Sequence, residues 1–115
     1  MAIKKGYKNF LSKEWGYELL VDKEEFESPT VHKIIVVLAR QETDYHYHKK
    51  RHQTWEIIHG EAYVSVDDTT YIKVYPGTIW KFAPGVKHNV KALIPLVIDE
   101  VSTNYVENDV FKSRK

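Results

Sequence analysis

From Trp15 to Thr103 the chain is divided by closely spaced turn formers into apolar runs too short for a helix with a sustained buried stripe. Gly60 ends one run, Asp67-Asp68 separates two others, Pro76-Gly77 and Pro84-Gly85 make further breaks, and Pro95 opens the last. Between these points β-branched and aromatic residues are frequent, and such residues fit a pleated, half-buried surface. Strands are expected over residues 15–21, 31–40, 53–59, 62–66, 69–75, 78–82, 87–93 and 96–103, with a hairpin across Asp67-Asp68. Eight or so short strands at regular intervals imply an all-β sandwich or small barrel. The first dozen residues and the tail from about Asn104 are polar and weakly patterned. At most a helical turn is expected of residues 12–14 and of the tail.

A chain of 115 residues can bury one adequate core, so a single domain over residues 1–115 is expected, its core at about 14–103. Hydrophobic residues at 43% separate it from disordered sequences. A net charge of +1, with both signs interspersed, makes no electrostatic case for nucleic acid or a membrane as the principal partner. Cysteine is absent, which excludes disulfides and thiolate metal ligands. The opening MAIKKGYKNF lacks the apolar stretch of a signal peptide, and no run is long enough to span a bilayer, so a cytoplasmic location is expected.

Chemistry concentrates in the histidines. His46 and His48 stand two apart, and in a strand residues i and i+2 face the same side. They therefore form the two-point grip that an imidazole-ligated metal needs. A third ligand must come from another strand, and His88, just past Ala83-Pro84-Gly85, is placed to supply it. The competing reading makes His46 and His48 solvated residues beside Lys49, Lys50 and Arg51.

From His46 the chain reads H-x-H-x4-Q-x6-G to Gly60, and from Gly77 it reads G-x5-A-P-G-x2-H to His88. This pair resembles the two motifs of the cupin superfamily, in the family's order and separated by a gap of one hairpin. The resemblance implies a double-stranded β-helix (a jelly-roll barrel) holding one divalent transition metal ion: Zn, Fe, Ni, Mn or Cu. Arg40 stands where the first motif has its glycine, Ala83 replaces a proline, and Ala92 replaces the closing asparagine. Gln53 takes the position of the usual glutamate ligand. Its amide oxygen can coordinate without a negative charge, leaving the ion more electrophilic and less tightly held; alternatively, Gln53 marks a site that has lost its metal. Some cupins with three histidines and a glutamine act on unsaturated uronates.

Trp15-Gly16-Tyr17-Glu18, Trp55, Gly60, Ala62, Pro84-Gly85-Val86-Lys87-His88 and Pro95-Leu96 through Glu100-Val101 are similar to the cupin domain of type II mannose-6-phosphate isomerases, from about residue 14 to 103. The likeness fails at the E-H-W triplet, where only Trp55 remains. It implies metal ligands His46, His48, Gln53 and His88. Glu100 falls on the family's I-E-V carboxylate and alternates with Ile98, so it is the candidate catalytic acid or base; a salt-bridged strand carboxylate is the alternative.

His52 reads as a rim residue, and His32 and His59 as structural or solvated. Trp55 and Trp80 read as barrel packing, with stacking on a sugar ring as the alternative, and Lys49–Arg51 as a solvated basic loop at the barrel mouth, with docking of a substrate phosphate as the alternative. The function implied is metal-assisted proton transfer on a sugar or sugar phosphate. A non-catalytic cupin binding a carbohydrate or metabolite, and a metal-dependent oxygenase, are the alternatives. A homodimer is implied by resemblance alone.

Overall fold

The computed structural model of the chain describes residues 10–24, 30–104 and 109–113. Among them are eleven strands and no helix. They are β1 (Phe10–Lys13), β2 (Gly16–Glu24), β3 (Thr30–Val37), β4 (His46–Tyr47), β5 (His52–His59) and β6 (Ala62–Val66), then β7 (Thr70–Val74), β8 (Ile79–Phe82), β9 (His88–Ala92), β10 (Leu96–Thr103) and β11 (Phe111–Lys112). Two antiparallel sheets result, one ordered β1-β2-β3-β10-β5-β8 and the other β11-β4-β9-β6-β7.

The period-2 pattern of the strands decides which side chains face inward. Along β10, Leu96, Ile98, Glu100 and Ser102 are buried, while the intervening side chains are half-buried or exposed. Along β9, His88 and Val90 are buried and Lys91 is exposed. Ile57, Val64, Val74, Val90, Leu96 and Ile98 form the centre of the core. Each such side chain contributes roughly 1.5–3 kcal/mol by leaving water. The core fills one part of the barrel, and a cavity lined by both polar and apolar side chains occupies another.

The turns follow their residues. Asp67 and Asp68 both take positive φ, 48° and 63°, and with Thr69 they make the three-residue loop between Val66 and its partner Thr70. At Gly60, φ is 95° and a β-carbon would lie 2.3 Å from the Pro95 carbonyl oxygen, so the glycine lets β5 end against the start of β10. Arg40, which replaces the first motif glycine, keeps the left-handed backbone with φ 65°.

Two expectations are corrected. Residues 12–14 form no helical turn: Ser12 and Lys13 belong to β1, which pairs with β2 from Phe10↔Leu19 to Lys13↔Gly16. The described part of the tail is not helical either. β11 pairs with β4, and Asp109 just before it is buried. In both places the unsatisfied backbone of a sheet edge determined the outcome, and local side-chain pattern did not. No helix among the described residues is long and apolar enough to cross a membrane.

Candidate metal centre

Strand register brings the three histidines together. His46 and His88 are direct cross-strand partners in the β4–β9 pair. Ahead of β4 the chain is already laid along β9: the Thr43 N–H donates to the Val90 carbonyl (2.9 Å), and Asn89 Nδ2 donates to Glu42 Oε2 (2.7 Å). His48 lies two residues beyond His46, so its ring returns to the same side, while Tyr47 between them stacks on Phe111. Ring centroids are 4.7 Å apart for His46–His88, 5.0 Å for His46–His48 and 5.8 Å for His48–His88. One nitrogen from each ring lies within 4.8 Å of the others, and the group could hold a metal ion.

The hydrogen bonds determine which nitrogen that is. The Nδ1–H of His46 donates to the Asp44 carbonyl, that of His48 to the Asp109 carbonyl, and that of His88 to the Val86 carbonyl. All three rings are thereby held in the tautomer whose Nε2 is a bare acceptor, the arrangement in which outer partners orient metal-ligating imidazoles. His48 Nε2 and His88 Nε2 are buried without a hydrogen-bond partner, as is Gln53 Oε1. Acceptors left unsatisfied in this way cost about 1–3 kcal/mol each, and a cation among them would remove that penalty. The donor set therefore fits a divalent transition ion on the chemistry of its atoms.

Burial keeps the imidazoles neutral. It pushes His46 below the ordinary histidine value, against the opposing pull of the Asp44 carbonyl. Burial, followed by the Arg51 guanidinium, pushes His48 down to about 4. Burial and the neighbouring His46 push His88 down to about 3. Phe82 stacks on the His88 ring at 4.1 Å, and Trp55 meets it edge-on at 5.7 Å, so an aromatic box excludes water from its faces.

Gln53 and Glu100 form the other wall. Both are buried, and Gln53 Nε2 donates to Glu100 Oε1. Trp55 Nε1 donates to the same oxygen at 3.2 Å. A carboxylate accepts and cannot donate, so the Gln53 amide must turn its NH2 to Glu100, which leaves Oε1 as the buried acceptor without a partner. His46, His48, Gln53 and Glu100 share the lining of a cavity of about 480 Å³ with Trp15, Lys33 and other residues.

Arg51 departs from the sequence reading. Lys49 and Lys50 are exposed, as a solvated loop requires, but Arg51 is only 6% exposed and lines the cavity. The remaining histidines fall as read. His52 is exposed, His59 is exposed with Nδ1–H donating to the Pro95 carbonyl (3.2 Å), and His32 pairs with Asp99.

The residue the sequence reading missed is Asp109. Its carboxylate accepts the backbone N–H groups of Lys49 (2.9 Å), Lys50 (2.9 Å) and Arg51 (3.0 Å), and its carbonyl accepts from His48. Burial raises the Asp109 carboxyl, but these three donors outweigh it and hold the group below the ordinary carboxylate value. The one sequence sign of this arrangement is the apolar pair Val110-Phe111 so close to the carboxyl end.

No protein-family model matches the chain, and no curated protein matches it in sequence. Solved structures do match. KdgF from a Halomonas species is similar with a TM-score of 0.76 and 13% identity, over 92% of this chain and 94% of that one. An RmlC-like cupin from Shewanella frigidimarina is similar with a TM-score of 0.70 and 15% identity, over 94% and 95%. A candidate sugar phosphate isomerase from Acidithiobacillus ferrooxidans has a TM-score of 0.60 and 16% identity over 66% of this chain, which spans only 51% of that protein's length. At these identities the likeness establishes the fold, which is the expected cupin double-stranded β-helix.

Proposed function

We propose that this cupin-fold chain is a metal-dependent enzyme of small sugars or sugar phosphates, with His46, His48, Gln53 and His88 as the metal ligands. One observation carries the reading: His48, His88 and Gln53 each hold a buried, partnerless acceptor, the three histidines group together, and His46, His48 and Gln53 line a cavity of about 480 Å³ with the Glu100 carboxylate. When bound, a divalent ion would act as a Lewis acid toward a carbonyl or hydroxyl oxygen of the ligand.

The chain's own residues supply the rest. Glu100 is held through Oε1 by Gln53 and Trp55, which leaves its second oxygen to the cavity. A carboxylate fixed in this way can take a proton from one carbon of the ligand and return it to the neighbouring carbon. Arg51, Lys33 and Lys13 contribute cationic lining, with Lys33 paired to Glu18 at 3.3 Å. The Arg51 guanidinium offers donors suited to a carboxylate or phosphate on the same ligand. The likeness to a candidate sugar phosphate isomerase supports the choice of substrate class.

The test is elemental analysis of untagged protein followed by turnover of a panel of aldose and ketose phosphates. About one transition ion per chain, absent from His88→Ala, together with turnover abolished in Glu100→Gln, is the expected result. Full turnover in Glu100→Gln would refute the proton-transfer role.

A second reading has its own observation. Two N–H donors on one Glu100 oxygen suit a carboxylate whose task is to aim the Gln53 amide. The chain would then bind its sugar without turning it over, and sugars would raise its melting temperature while no product formed.

A further inference from the structure

We infer that the carboxyl-terminal strap, residues 109–113, is a working part of the metal centre, in which Asp109 is the positioning residue for His48 and for the loop that follows it. The inference rests on the metal reading of the three histidines.

Two sets of bonds converge on this one residue. Its carbonyl receives the Nδ1–H of His48, which turns Nε2 toward His46 and His88. Its carboxylate receives three consecutive backbone N–H groups, from Lys49, Lys50 and Arg51. Those residues link β4 to β5, so they separate the ligand His48 from the ligand Gln53. Three converging N–H groups form an anion-holding concavity of the kind usually filled by an external ion; here the chain fills it with its own carboxylate.

The strap is held at its far side as well. Phe111 stacks on Tyr47 at 5.4 Å, the Lys49 ammonium lies 4.4 Å from the centre of the Phe111 ring, and Phe111 and Lys112 pair with Tyr47 and His46. The Ser113 N–H donates to the Tyr45 carbonyl (2.9 Å), and Val110 lines the cavity. Both edges of the H-x-H segment are thus gripped: β9 holds one and the strap holds the other. Removing the outer partner of a metal-ligating histidine weakens metal binding by roughly 10–100-fold. Here that partner is the backbone carbonyl of residue 109, which the Asp109 carboxylate holds in place through the Lys49, Lys50 and Arg51 amides, so loss of the carboxylate should produce the lower end of that range.

The test uses the full chain as Asp109→Ala and Phe111→Ala, with Val74→Ala as a core control outside the cavity. Zinc affinity is measured by competition with a chromogenic chelator, and ring tautomers of the metal-free proteins by imidazole nitrogen NMR. The expected result is zinc binding about tenfold weaker in Asp109→Ala and a few-fold weaker in Phe111→Ala, with the control unchanged. In metal-free wild type, His48 should show a protected Nδ1–H; Asp109→Ala keeps the backbone carbonyl but removes the carboxylate that anchors it, so the protection should weaken. A folded Asp109→Ala with wild-type zinc affinity and an unchanged His48 signal overturns the inference. If that variant does not fold, Phe111→Ala decides, and wild-type affinity there overturns it equally. A wild type that binds no divalent ion refutes the proposed function instead, and the metal-free His48 signal still tests Asp109 by itself.

Discussion

Gln53→Glu would restore the residue usual at its motif position, and the structure argues that the chain without metal would be destabilised by it. Gln53 Nε2 donates to the buried Glu100. The substitution removes that bond, and a hydrogen bond to a charged group contributes about 1.5–3 kcal/mol. It also sets two carboxylates at hydrogen-bond distance, where their repulsion at an effective dielectric of 20 is on the order of 5 kcal/mol before either takes a proton. The pair escapes most of this by sharing one proton, as close carboxylate pairs do. A net loss of about 3 kcal/mol at pH 8 is the reasonable middle. With an unfolding entropy of ~2.1 cal/mol/K per residue, that loss lowers the melting temperature of a 115-residue chain by about 12 °C. The assay is thermal unfolding in chelator at pH 8 and pH 5, then at pH 8 with a divalent ion. The deficit should shrink at pH 5, where the shared proton is easily supplied, and again with the ion. A variant that melts with the wild type at both pH values in chelator would refute the contact between Gln53 and Glu100, and with it the orientation of the amide.

The metal-free protein should lose stability as pH falls from 6.5 toward 4. His46, His48 and His88 are all lowered in the fold, the latter two to about 4 and about 3. Over that window the unfolded chain binds protons that the folded chain does not, so stability declines on acidification by on the order of 1 kcal/mol per pH unit for each of His48 and His88, with His46 acting in the same direction. Denaturant titrations at pH 7, 6 and 5 in chelator would show it, and equal midpoints at all three would contradict the burial argument. The two motif-glycine positions should differ in their tolerance of substitution. Gly60→Ala forces a β-carbon against the Pro95 carbonyl and should cost about 3 kcal/mol or more. Arg40→Gly relaxes a left-handed arginine and should stay within about 1 kcal/mol of wild type, because the gain offsets glycine's chain entropy. Chemical denaturation reads both, and a fully stable Gly60→Ala would sink the comparison.

The parts legible in the sequence were those governed by short-range periodicity. His46 and His48 share a face because strands have period 2, and Glu100 turns inward for the same reason as Ile98. The turn at Asp67-Asp68 was readable because two adjacent left-handed residues suit few side chains. What escaped depends on contacts between distant segments. Arg51 looks like the third member of an exposed basic loop until the structure shows it buried in the cavity wall. Phe10–Lys13 carries no strand pattern of its own and becomes β1 because β2 offers it an unpaired edge. Asp109 is one acidic residue in a polar tail, and nothing local announces that it accepts from donors 58 to 61 residues away. The side chain that aims Gln53 lies 47 residues along, so the motif could suggest the ligand but not the atom it presents.

The paired register of His46 and His88 also has a consequence for the order in which the molecule is made. The two histidines are adjacent only after β9 has returned to β4, past the whole β6–β7 hairpin. The His48 ring is set only when a segment near the carboxyl end has closed over it. Loop closure must therefore precede coordination, and non-local pairing of this kind is the slow part of folding. An ion can reward the finished barrel but cannot nucleate it. During synthesis the site would stay unformed until residues 109–113 had emerged, so any ion would be met by a native fold able to hold it.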